Sequence, residues 1–227
     1  MNTFLKISAM ACAVTIGFSA CSKDDKDPIV QEYAAKVYLK DGESKDYTKV
    51  STTKNTEGAI SRKGTVYAVR NLRQFELDAD GKVSSKAASN YFFDFKENDA
   101  TTEADAMVVL PATTAAILKS NTSKGYSLSY INKAFETVTA KDEFTAAKDN
   151  LLGLESKYAK DVIGWLSYTG APNHQVLPVV DRTIIILKDG KALFKFRVNS
   201  VYSNGAPEKE VAPTNSFFYS IDYQEFK

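Results

Sequence analysis

The stretch Thr183-Ile184-Ile185-Ile186-Leu187, continuing through Lys188-Asp189-Gly190-Lys191 into Ala192-Leu193-Phe194-Lys195-Phe196-Arg197-Val198, decides the fold class. A β-branched run loses rotamer freedom in a helix and packs well on a pleated surface. Asp-Gly supplies the two left-handed residues of a tight hairpin turn. Beyond the turn, Phe194, Phe196 and Val198 fall on one face of an extended chain. The segment therefore predicts a β-hairpin with a buried aromatic face.

Working outward, the same period of two continues. From Phe217 to Phe226, Phe217, Tyr219, Ile221 and Tyr223 share one face while Ser220, Asp222 and Gln224 take the other. Upstream, Lys36 to Leu39, Thr65 to Arg70, Tyr91 to Phe95, Ala106 to Leu110, Tyr126 to Ile131 and Ile163 to Tyr168 are short, β-branched or aromatic, and mostly bounded by turn residues. Many short strands predict a mostly β chain, a single antiparallel β-sandwich-like domain over 32–227, with one or two short helices. The helices are expected where Phe144, Ala147, Leu151, Leu154 and Tyr158 recur at intervals of three and four behind a Thr139 to Asp142 capping box, and from Thr113 to Lys119. The polar stretch Glu43 to Lys63 reads as an exposed loop or a ragged hairpin.

The amino end has a different character. Lys6 is the one charge in the first twenty residues, and the apolar run Ile7 to Ala20 is short for a bilayer span but right for a signal peptide. Phe18-Ser19-Ala20-Cys21 resembles a lipobox, in which Cys21 is acylated and becomes the first residue of the mature chain. Cys12 would leave with the signal. Acyl chains contribute about 0.8 kcal/mol per buried CH₂, so two of them anchor a protein without a transmembrane helix. Residues 21–31 read as a charged tether, and Lys23-Asp24-Asp25 looks like the signal that sends some lipoproteins to the outer face of the outer membrane.

Composition narrows the chemistry. With 2 Cys and 1 His among 227 residues, the chain lacks the ligands for a structural zinc site and the cysteines for a disulfide framework. A net charge of +1 gives no basic excess for neutralising phosphates, which argues against nucleic acid as a partner. No serine sits in a Gly-x-Ser-x-Gly elbow, no phosphate loop is present, and His174 is the sole imidazole available as a base. The 28 acidic residues leave a carboxylate pair for glycoside hydrolysis open. Binding, rather than catalysis, is the expectation. The 12 Tyr and 13 Phe suit flat ligands such as porphyrins or sugar rings, although most aromatics at strand spacing belong to the core.

Gly164-Trp165-Leu166-Ser167-Tyr168, then Pro172-Asn173-His174, then Arg182 to Lys191, and finally Phe218-Tyr219-Ser220-Ile221-Asp222-Tyr223 resemble, in the same order, the C-terminal half of the HmuY family of haem-binding surface lipoproteins. Asn90-Tyr91-Phe92-Phe93-Asp94-Phe95 resembles a degraded form of that family's Trp-Asp-Ile-Ala-Phe strand. The resemblance implies a mostly β fold and a haemophore, which takes haem from host haemoproteins and delivers it to a TonB-dependent outer-membrane receptor. It also implies two axial iron ligands, usually His or Met. One of them should follow the Gly-Trp motif, where this chain has Thr169 and Gly170. The other should lie between about Ala134 and Leu154, a stretch without His or Met. The remaining candidates for haem are His174 as an axial iron ligand, Met107, and Tyr168 as an ionised phenol. Atypical or single-sided ligation follows if haem is bound. The alternative is a non-haem lipoprotein of the same fold that captures glycans or adheres to surfaces.

Overall fold

The Asp189-Gly190 turn forms with both residues at positive φ, +50° and +79°, the conformation that matches the right-handed twist of the flanking strands. It joins two strands of the larger of two sheets. The computed structural model describes residues 35–111, 116–158 and 161–227. In chain order these form β1 (Ser44–Asp46), α1 (Tyr47–Val50), β2 (Thr56–Lys63), β3 (Val66–Leu77), β4 (Val83–Ala87), β5 (Asn90–Asp94), β6 (Asp99–Ala100) and β7 (Val108–Pro111). They continue as β8 (Leu118–Ser120), β9 (Tyr126–Asn132), β10 (Thr145–Ala146), β11 (Leu151–Ser156), β12 (Gly164–Tyr168), β13 (Val176–Pro178), β14 (Arg182–Lys188), β15 (Lys191–Tyr202) and β16 (Ser216–Glu225).

The chain is mostly β and folds as a two-sheet sandwich. One sheet runs β1-β2-β3-β16-β15-β14-β9-β10 with β4 added beside β3, and the other runs β13-β12-β11-β8-β7-β5-β6. The C-terminal strand therefore lies in the middle of the larger sheet, between β3 and β15. Pairing is antiparallel throughout except between β11 and β12, which run parallel, a departure from the all-antiparallel expectation. Both sheets contribute to one apolar core. Phe95 stacks at 5.3 Å on Phe196, Tyr91 meets Tyr219 edge-on at 5.8 Å, and Trp165 lies flat on Tyr219 at 5.5 Å. The aromatic stripe read from the last strand is thus largely core, as its spacing implied.

Three local expectations are corrected and a fourth is narrowed. The helix expected between Thr139 and Tyr158 does not form: the segment holds β10, a 3₁₀ turn over Lys148–Asn150, and β11. Asp149 and Asn150 adopt positive φ, and Asn150 turns its side chain to accept from Leu128 N at 2.5 Å and donate to Ser120 Oγ at 2.6 Å. Those bonds and the pairing of β11 with β8 and β12 outcompete a weak three–four spacing. The Thr139 to Asp142 motif closes a turn, with Thr139 N donating to Asp142 at 2.7 Å, but no helix follows.

The second expected helix, Thr113 to Lys119, is replaced over its last part by β8; residues 112–115 lie outside the described residues. Lys36 to Leu39 is not a strand, although Val37 and Leu39 are buried and Val37 N donates to Glu97 O at 3.1 Å. Of the two alternatives for Glu43 to Lys63, the structure takes the ragged hairpin, an antiparallel β1–β2 pair at the edge of the larger sheet with α1 between them. There β1 pairs with β2 in register, Asp46 caps α1 through Thr48 N, and buried Tyr47 donates to Asn98 O at 3.0 Å.

Candidate functional site

At one end of the sandwich the two sheets part around a cavity of about 390 Å³. The smaller sheet supplies Leu154 from β11, Leu166 and Tyr168 from β12, and Val176 from β13; the larger supplies Val201 from β15 and Phe217 and Tyr219 from β16. The walls are therefore mainly aliphatic and aromatic, with a few polar atoms at the rim, the usual make-up of a small-molecule site. A second cleft of about 490 Å³ lies across Leu154 and shares that side chain as a wall. Its rim carries the exposed Lys148, Asp149 and Asp161, and it holds no aromatic ring.

The rim of the first cavity carries Tyr168 and His174, two of the three residues singled out from sequence. Tyr168 ends β12 and is half-buried, whereas His174 is exposed on the following loop. The Tyr168 hydroxyl and His174 Nδ1 share a hydrogen bond, with ring centroids 5.9 Å apart. The Pro172-Asn173-His174 loop folds back toward the end of β12. His174 N donates to Gly170 O at 2.8 Å, and Thr169 N donates to Gln175 O at 2.9 Å. The loop is also tied outward, because Gln175 Nε2 donates to Glu210 O and Ala212 N donates to Asn173 O, each at 2.8 Å. Gly170 is needed at its bend: a Cβ there would stand 3.0 Å from Lys157 Cε and 3.2 Å from the Tyr158 ring.

Behind the rim, Trp165 Nε1 donates to Ala116 O at 2.6 Å and its ring backs Tyr219, so the cavity floor is a stacked aromatic pair. Burial pushes the Tyr219 phenol well above the ordinary tyrosine value. Burial raises Tyr202 too, against the opposing hydrogen bond it accepts from Val176 N at 2.8 Å. Both groups are therefore neutral phenols at any physiological pH.

Met107 is not part of this site. It is 1% exposed in the core, ahead of β7, where a flexible thioether fills space. Cys21 lies outside the described residues. Among the described residues no group of three or more His, Cys, Asp or Glu side chains is arranged to hold a metal ion, and no helix is long and apolar enough to cross a membrane.

Sequence reasoning missed most of the walls. Leu154 was assigned to a helix, and Phe217 and Tyr219 were read only as a core face. Val176 and Val201 carry no signal beyond being apolar, because which strand ends converge is a property of topology rather than of local pattern. No protein-family model, no curated protein and no solved structure matches the chain.

Proposed function

We propose that this chain is a lipoprotein, anchored through Cys21 at the outer surface of the outer membrane, that binds haem or a related flat ligand in the cavity between Tyr168 and Phe217. It has no catalysis of its own. The observation that carries the reading is the meeting of Tyr168 and His174, both nominated through the family resemblance, on the rim of an apolar cavity lined by Tyr219, which Trp165 backs.

The donor set suits ferric haem. An ionised phenol and a neutral imidazole are both competent iron ligands, and in the tautomer whose Nδ1–H donates to the Tyr168 oxygen, His174 Nε2 keeps its lone pair for the metal. Haem supplies a ferric centre and a broad conjugated ring. His174 would hold the metal from one side, with Tyr168 orienting its imidazole through their shared hydrogen bond, in keeping with single-sided ligation. The aliphatic walls would exclude water from the ring. An apolar lining speaks against the glycan alternative, because sugar hydroxyls need a ring of polar partners.

In this reading the partners are those the sequence resemblance implies, host haemoproteins as donors and a TonB-dependent outer-membrane receptor as acceptor. The test is a haemin titration of the purified full chain followed in the visible spectrum. A sharp, saturable Soret band at one equivalent is expected. His174→Ala and Tyr168→Phe should each weaken binding by about tenfold, some 1.4 kcal/mol. Absence of a saturable band, or variants indistinguishable from the parent, would overturn the assignment. The anchor is tested separately: radiolabelled palmitate should enter the chain and be lost in Cys21→Ala, and an unlabelled parent would contradict it.

A further inference from the structure

Backbone strain in this protein is concentrated at the same cavity. Among the described residues, eleven non-glycine residues have positive φ, and seven of them are Asn or Asp, which tolerate the left-handed region. The other four are His174 (+52°), a type that shares this tolerance, and Ala116 (+43°), Ala212 (+48°) and Phe217 (+70°), which do not. Ala116, His174 and Phe217 line the cavity, and Ala212 is hydrogen-bonded to the loop that carries His174. Phe217 is the most unusual of the four. A bulky side chain at positive φ inside a strand is a genuine outlier, and such outliers persist where surrounding structure enforces them, often at binding sites.

The enforcing structure is visible. The β15–β16 ladder slips between Val198 and Ser200 and again between Ser200 and Tyr202, so that Tyr202 faces Ser216 at the last paired position. Phe218, the next residue, is held on its own side by Arg73, whose guanidinium lies 4.6 Å from that ring and 4.6 Å from Phe75. Tyr219 is fixed beneath by Trp165. Between these clamps the chain reaches the next paired position with Phe217 turned into the cavity.

We propose that Phe217 is a ligand-contact residue, held in a left-handed backbone conformation so that its ring forms a flat wall against a planar conjugated ligand. This deepens the reading given above and rests on it. The chemical class follows from the lining: the rings of Phe217, Tyr219 and Tyr168 among aliphatic Leu154, Leu166, Val176 and Val201 reward a flat, largely apolar ring system, with or without a metal at its centre.

Two probes and three variants of the full chain test it. Phe217→Ala should weaken both haemin and metal-free protoporphyrin IX by about tenfold, while Phe217→Tyr, which keeps the ring, should stay within about threefold of the parent. His174→Ala should weaken haemin alone. In an ordinary strand alanine is at least as stable as glycine, but at positive φ the order reverses. Phe217→Gly should therefore melt about 2–4 °C above Phe217→Ala while binding no better. Unchanged porphyrin affinity in Phe217→Ala, or loss of haemin alone, would overturn the wall assignment. A melting order with alanine on top would overturn the strain argument. A parent that binds neither probe would overturn the ligand role together with the functional reading, yet leave the melting order as a separate result.

Discussion

Asp222 offers the sharpest energetic test of the sheet that carries the site. Its carboxylate sits mid-strand in β16 with a side chain 9% exposed. Arg70 Nη2 donates to one oxygen at 2.6 Å, and Arg197 Nε and Nη2 donate to the other at 3.1 and 2.9 Å. Burial pushes this carboxyl up, but the hydrogen bonds of Arg70 and Arg197, the charge of Arg70 and a hydrogen bond from Asn199 outweigh it, so Asp222 titrates below the ordinary aspartate value. Asp222→Asn keeps the shape and removes the charge. Converting charge-assisted hydrogen bonds into neutral ones costs on the order of 1 kcal/mol each. The Arg70 and Arg197 side chains are 45% and 36% exposed, and Arg197 retains Glu136 at 2.6 Å, so water and that second carboxylate offset part of the loss. The net expectation is about 2 kcal/mol of destabilisation at pH 7. Urea unfolding followed by circular dichroism measures it. Because the folded pKa is depressed, the parent's advantage is complete above the unfolded value near ~3.9 and is lost as pH falls through the folded one. The gap between parent and variant should close in that acid window. A gap below about 0.5 kcal/mol at neutral pH, or one that does not change with pH, would refute the reasoning.

Three further outcomes follow from the geometry. Gly58 has φ +113°, and a Cβ there would meet the carbonyl oxygens of Arg70 and Asn71 at 2.7 Å, so Gly58→Ala should lower the melting midpoint by about 5 °C or more in a calorimeter. Trp165→Phe removes the donor to Ala116 O and part of the stack on Tyr219; a buried unpaired carbonyl and a small void should together cost about 2–4 kcal/mol in chemical denaturation. Lys195 is 5% exposed and donates to Phe135 O and Val138 O at 2.7 Å, so Lys195→Met should cost about 2 kcal/mol by the same assay and loosen the 135–138 turn in hydrogen exchange.

What the sequence disclosed follows the range of the forces involved. The β14–β15 hairpin was legible because its signals, a β-branched run and an Asp-Gly turn, act within a few residues of one another. The alternation in β16 was legible for the same reason. The segment around Leu151 was misread because its three–four spacing is real but weak, and Asn150 and the partners of β11 sit far away in sequence. The parallel pairing of β11 with β12 has no local signature. At the site, Tyr168 and His174 could be nominated because they lie in and just beyond the Gly-Trp motif of the resemblance and carry iron-binding atoms, and a six-residue separation let the loop bring them together. Phe217 could not be recognised, since its conformation is set by two slips in the neighbouring strand pair and not by its own side chain.

The most direct test of the central claim uses Trp165, the sole tryptophan, which lies one ring behind the cavity. Haemin bound there should quench its emission saturably at one equivalent, and Leu154→Phe, which fills the space from the wall, should abolish the quenching without lowering the melting midpoint by more than about 3 °C. Quenching that never saturates, or that persists unchanged in Leu154→Phe, would contradict the account.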